Sequence, residues 1–146
     1  MKKEVLVRFS GANSYENDNQ DQVEFLTTGN LYKKNNKYYL KYQEQYQEFS
    51  KGEVQTVLKI EENKVTIIRT GAANTQMILE KGKTHTSHYE TEEGSYTIGV
   101  LSDDVFIDMN EEKGRLILHY DVMLNNLLAS KNQIQLTFEE VLKTNE

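Results

Sequence analysis

Apolar and polar residues alternate with a period of two along most of this chain. Between Arg115 and Leu124 the even positions are Leu116, Leu118, Tyr120, Val122 and Leu124, and the odd ones are Arg115, Ile117, His119, Asp121 and Met123. Ile134, Leu136 and Phe138 alternate with Gln133, Gln135 and Thr137, and Val5, Val7 and Phe9 with Glu4, Leu6 and Arg8. Side chains along a strand point to opposite faces in turn, so the pattern is that of half-buried strands. Helical spacing accounts for none of the three segments as well.

Turn residues sit between these runs: Asn35-Asn36, Glu62-Asn63, Lys81-Gly82, Glu93-Gly94 and Lys113-Gly114. Asparagine and glycine tolerate the positive φ angles of a tight hairpin. Reading from turn to turn predicts strands over 2–10, 22–34, 37–46, 54–61, 64–71, 74–80, 84–92, 95–101, 104–110, 114–125 and 131–139. The polar stretches Gly11–Asp21 and Gln45–Gly52 read as loops, and the tail Glu139–Glu146 has room for one helical turn. Strands joined by short turns form a meander, and a long meander is expected to close, because closure removes unpaired edges. The predicted fold is all-β: a single antiparallel up-and-down barrel of about 8–10 strands, spanning residues 1–146 as one domain.

Composition narrows the function. With 17 basic and 23 acidic residues the formal charge is −6, the opposite of a surface built to grip phosphate backbones, so nucleic acid is not an expected partner. The chain has no cysteine, which removes disulfides, thiolate catalysis and cysteine-ligated zinc together. It has no proline either, where average usage would give about seven, so Gly, Asn and Asp must make the turns. Met1-Lys2-Lys3-Glu4 opens directly into alternation with no apolar leader, and no run approaches the roughly 18 apolar residues of a membrane helix. The expected location is the cytoplasm, with no membrane partner.

Several segments taken in order resemble a known family. They are Tyr38-Tyr39-Leu40-Lys41-Tyr42-Gln43-Glu44, Gly52-Glu53-Val54-Gln55-Thr56, the hairpin Lys59–Thr66, Ile68-Arg69-Thr70-Gly71, Tyr89–Ser95 and Ile98-Gly99-Val100. Together they resemble the YwiB-like family of small bacterial proteins, and the resemblance covers nearly the whole chain. It implies a calycin-like (lipocalin-like) β-barrel and implies no reaction. The family tends to place proline before the glycine of the Tyr89–Gly94 stretch and before Gly99, and this chain lacks both. The tryptophan of true lipocalins is missing, and Gly11–Asp21 is too short and polar for the helical lid of fatty-acid-binding proteins. These ligand carriers are therefore poor analogies.

Catalytic signatures are weak. His85 and His88 differ by an odd offset, which on a strand places them on opposite faces and prevents joint chelation without a bulge. His119 lies on the more polar face of its strand. No Gly-x-Ser-x-Gly elbow and no glycine-rich phosphate loop occurs. No metal and no cofactor is expected.

Strand parity yields the candidate site. A two-residue turn at Glu62-Asn63 sets Glu61 opposite Lys64, Ile60 opposite Val65, Leu58 opposite Ile67 and Thr56 opposite Arg69. The apolar members mark the inner face, so Thr56 and Arg69 should also point inward. On the preceding strand Tyr38, Leu40, Tyr42 and Glu44 share the less polar face. An inward carboxylate and guanidinium must find partners. Tyr38, Tyr42, Glu44, Thr56 and Arg69 are thus the candidate ligand-binding residues, and a closed structural network is the competing account. The tyrosines at 38, 39, 42 and 46 could stack bases, but no basic groove accompanies them. Cross-strand packing explains them more simply.

Three functions follow as expectations. The first is a non-enzymatic barrel binding a small anionic or amphipathic molecule in its interior or mouth. The second is an interaction module or homodimer using the outer wall, motivated by the outward apolar set Val57, Ile117 and Met123. The third, hydrolysis of a small phosphorylated or acylated compound, rests on Glu44 and Arg69 alone.

Overall fold

The computed structural model describes residues 1–15, 20–44, 54–71, 74–91, 94–124 and 127–142, with backbone alone at 87–91. The period-two segments all become strands: β1 (Lys2–Tyr15), β2 (Gln20–Lys34), β3 (Lys37–Glu44), β4 (Val54–Ile60), β5 (Lys64–Gly71), β6 (Asn74–Glu80), β7 (Thr84–Thr91), β8 (Gly94–Met109), β9 (Lys113–Leu124) and β10 (Leu127–Glu140). Each pairs antiparallel with its neighbours in sequence, and β1 pairs with β10 to close the barrel.

Ten strands replace the eleven expected from turn spacing. Segments 95–101 and 104–110 are one strand, β8, interrupted by a register shift between Ser102 and Asp104. A bulge of this kind bends a strand without ending it. A second correction concerns Gly11–Asp21, expected as a loop. β1 runs on to Tyr15 and β2 starts at Gln20, because Gly11–Tyr15 pair with Ile134–Ser130 of β10 while Gly11–Ser14 pair with Val23–Gln20 of β2. Pairing on both sides overrides the weak strand propensity of these small polar residues. The tail places Glu139 and Glu140 in β10, and Val141 N–H donates to Glu4 O at 2.9 Å. Residues 143–146 and the Gln45–Gly52 stretch lie outside the described residues.

The inner face is apolar for most of the barrel's length. Val5, Val7, Leu31, Leu40, Leu58, Ile60, Val65, Ile67, Leu79, Leu116, Leu136 and Phe138 are buried. The hairpin turns at 35–36, 61–63, 81–83 and 110–112 fall at one end, called here the hairpin end; β3, β5, β7 and β9 all run toward the other, the mouth end. Gly82 N–H donates to Ser102 O at 2.8 Å and Ser102 N–H to Lys83 O at 3.2 Å, so the β6–β7 turn is tied to β8. Between β6 and β7 themselves the ladder covers Asn74↔Glu90 and Thr75↔Tyr89 among the described residues.

Candidate functional site

The register predicted around Glu62-Asn63 is observed: Thr56 opposes Arg69, Leu58 opposes Ile67 and Ile60 opposes Val65. The row extends both ways, with Tyr42 opposite Thr56 on β3 and Thr75 opposite Arg69 on β6. Four neighbouring strands therefore carry one inward polar row toward the mouth end. Glu44, at the end of β3, lies diagonally across from Arg69, whose Nε donates to Glu44 Oε1 at 3.1 Å. The carboxylate side chain is 1% exposed and the guanidinium side chain 18%. The pair is thus a nearly dry one, with its arginine partner closer to water.

A second polar row lies on the far wall. Ser102 of β8 opposes Tyr120 of β9, which opposes Asn132 of β10. Asn132 Nδ2 donates to Ser130 Oγ at 3.0 Å and to Tyr120 O at 3.3 Å. Counting around the ring, β9 is as many strands from β3 as from β5, so Tyr120 faces the ion pair across the lumen. Burial pushes the Tyr120 hydroxyl's pKa up; the Arg69 charge opposes that rise and the Glu44 charge adds to it. The phenol is therefore within electrostatic reach of both charges.

Three hydroxyls of this layer, Thr56 Oγ1, Thr75 Oγ1 and Ser102 Oγ, are buried and find no protein hydrogen-bond partner among the described residues. Buried polar atoms are nearly always paired, so three such hydroxyls within one layer leave hydrogen-bonding capacity that water or another small group can meet. Above the layer, on the β8–β10 wall, the inward positions turn apolar: Ile98 opposes Leu124, and Leu124 opposes Leu127. Tyr96, Leu124 and Leu127 are 44%, 40% and 72% exposed. The mouth end thus has a polar wall on β3–β6 and an apolar rim on β8–β10.

Residues 7–136 match the family described as a domain of unknown function, DUF1934. The chain belongs to this family. It is 31% identical over 140 residues to the uncharacterized β-barrel protein YwiB of Bacillus subtilis (strain 168), covering 95% of this chain and 96% of that protein. The crystal structure of the ywiB protein from Bacillus subtilis superposes with a TM-score of 0.84 at 26% identity, over 97% of this chain and 94% of the other. The fold is therefore shared with a β-barrel protein of nearly equal extent.

Within this DUF1934 barrel the five sequence-chosen residues do not all meet. Tyr42, Glu44, Thr56 and Arg69 do, whereas Tyr38 opposes Ile60 near the hairpin end. Six residues of strand separate Tyr38 from Glu44, about 20 Å at ~3.3 Å per residue. Lys33 Nζ lies 5.4 Å from the Tyr38 ring centroid, an end-of-barrel contact. Tyr39 faces outward and stacks on Tyr32 at 5.1 Å, and Tyr46 lies outside the described residues. The members missed by sequence reasoning are Thr75, Ser102 and Tyr120. Tyr120 is legible as an inward position within an apolar series, and Ser102 lies between two predicted strands that are one.

The remaining candidates are dispersed. His85 Nε2 pairs with Glu80 Oε1 at 3.0 Å beside the β6–β7 turn, where Lys83 Nζ also reaches Glu80 at 3.2 Å. These partners hold the Glu80 carboxyl below its usual pKa, the His85 hydrogen bond first among them. Of the outward apolar set, Val57 opposes Ile68 on the β4–β5 wall, Ile117 opposes Phe106, and Met123 opposes Gly99. They form no single patch. Grooves of about 360, 380 and 650 Å³ run along the outer wall, and none is lined by Glu44, Thr56 or Arg69. No helix among the described residues is long and apolar enough to cross a membrane.

Proposed function

We propose that this protein is a non-catalytic barrel that takes up a small amphipathic molecule at its mouth end, polar head inward. The observation that carries this reading is the set of three buried hydroxyls, Thr56 Oγ1, Thr75 Oγ1 and Ser102 Oγ, on facing walls of one layer and without a hydrogen-bond partner among the described residues. A purely structural network would satisfy its own members, because each unmet buried group costs about 1–3 kcal/mol. Glu44 and Arg69 balance each other's charge at 3.1 Å, so an added net charge in this layer would lack compensation. That favours an uncharged, hydrogen-bonding head over an anion. The rim of Tyr96, Leu124 and Leu127 offers apolar surface to a short tail. The buried side chains toward the hairpin end leave the mouth as the place of entry.

The test is binding of the neutral fluorophore N-phenyl-1-naphthylamine and its displacement by 1-decanol. Thr56→Val and Thr75→Val each remove a hydroxyl while keeping the shape. Each is expected to weaken decanol displacement by roughly 3–10-fold, the worth of one hydrogen bond, without lowering the unfolding temperature. A wild-type protein that binds neither compound, and carries no adduct by native mass spectrometry, overturns the reading.

A second reading, a homodimer through the outer wall, is favoured by Phe106, which is 43% exposed and in register with Ile117. Light scattering that returns a monomer at high concentration removes it.

A further inference from the structure

We propose that the outer wall carries a second, separate binding site, for a compact oxyanion of the phosphate-monoester class, built from Arg8 and Arg115 across Thr137. The chain has three arginines among its 17 basic residues, and lysine supplies the rest. One of the three, Arg69, is inside the barrel. The other two lie far apart in sequence and yet fall in a single cross-strand row: Arg8 opposes Thr137, and Thr137 opposes Arg115. Residues of one row share a face, and strands lie about 4.8 Å apart, so the two arginines start about 10 Å apart with the threonine between them. Side chains of that length converge readily on one tetrahedral group above the hydroxyl.

Two observations bear on this pair. Among the described residues neither guanidinium forms an ion pair or a side-chain hydrogen bond, unlike the third arginine, Arg69, which pairs with Glu44. Both arginines also line the same groove, of about 360 Å³, together with Leu6, Lys113 and Glu139. Guanidinium groups bind phosphate and carboxylate oxygens in pairs of parallel hydrogen bonds, which lysine cannot do.

The charge of the groove sets the size of the ligand. Lys113 adds a third cation, and Asp108, opposite Arg115, and Glu139, opposite Lys113, add two carboxylates. The local balance is three positive against two negative groups on a chain of formal charge −6. One compact dianion can sit between the arginines, whereas a polyanion would meet both carboxylates and the acidic remainder of the surface.

The experiment is titration with phenyl phosphate at constant ionic strength, followed by amide chemical shifts and by calorimetry. The expected result is saturable binding with shifts concentrated at Leu6, Arg8, Arg115 and Thr137. Arg8→Gln and Arg115→Gln should each weaken it roughly tenfold, the loss of a charge-assisted hydrogen bond, and the double variant should abolish it. Asp108→Asn should tighten it several-fold by removing the competing carboxylate. Unchanged affinity in the double variant, shifts spread evenly over the surface lysines, or loss of folding stability without tighter binding in Asp108→Asn would each overturn the proposal. So would a short polyphosphate that binds more tightly in proportion to its charge.

Discussion

Glu44 and Arg69 behave as a unit whose two halves are unequally exposed. Replacing Arg69 by Met leaves a carboxylate that is 1% exposed without its counter-charge, and stability should fall by about 3–5 kcal/mol. Adding Glu44→Met to that variant should recover much of the loss, since paired removal leaves no orphaned charge; urea unfolding of the two variants reads this directly. Thr56→Val should move stability the other way, by about +1 kcal/mol, because it deletes an unmet hydroxyl and retains the volume. Tyr120 provides a pH reporter. Its folded-state pKa is raised by burial, so its contribution to stability is present below the ordinary tyrosine range and is lost as pH rises above it. Absorbance titration of wild type against Tyr120→Phe should show the Tyr120 phenol ionising at more alkaline pH than a free tyrosine, and Tyr120→Phe should flatten the alkaline loss of stability. The partnership of Thr56 and Arg69 was readable from parity and a two-residue turn. The facing hydroxyl of Ser102 was not, because its bulge shifts the register and no residue type announces a bulge.

The elements owe their lengths more to neighbours than to propensity. The β2–β3 hairpin turns through Asn35 and Asn36 at φ of 53° and 62°, the left-handed conformation that asparagine tolerates. Asn36→Gly should leave the fold intact and stabilise it slightly, whereas Asn36→Val should cost about 1–2 kcal/mol. Gly29 in β2 is required for a different reason. A Cβ there would come 2.5 Å from the Lys41 carbonyl oxygen and 3.2 Å from the Tyr42 Cβ, so Gly29→Ala must push β2 and β3 apart. A drop of about 1–3 kcal/mol in urea unfolding is expected. The strands were legible where apolar residues alternate and illegible where they do not. In Gly11–Tyr15 the outer halves of β1 and β2 continue because β10 and β2 offer partners on both sides, information that no local window holds.

At the scale of the whole molecule, alternation plus short turns was enough to derive a closed meander, because strands that pair with their sequence neighbours leave few alternatives. The placement of the polar layer near one end followed from the same reasoning. Its composition did not, since Ser102, Tyr120 and Asn132 come from the far wall and meet the others only after closure. The closed ring is uneven in thickness. β1 is laced to β2 and β10 over long ladders, while among the described residues β6 and β7 pair only at Asn74↔Glu90 and Thr75↔Tyr89, and their turn is held by Lys83 N–H to Glu80 O at 3.0 Å and by bonds to β8. Local opening follows the sparsest bonding. In deuterated buffer the amides of β6 beyond Thr75 and of the first half of β7 should therefore exchange well before those of β1, β9 and β10. If a guest molecule ever leaves other than by the mouth, this thin link is where the wall would part sideways.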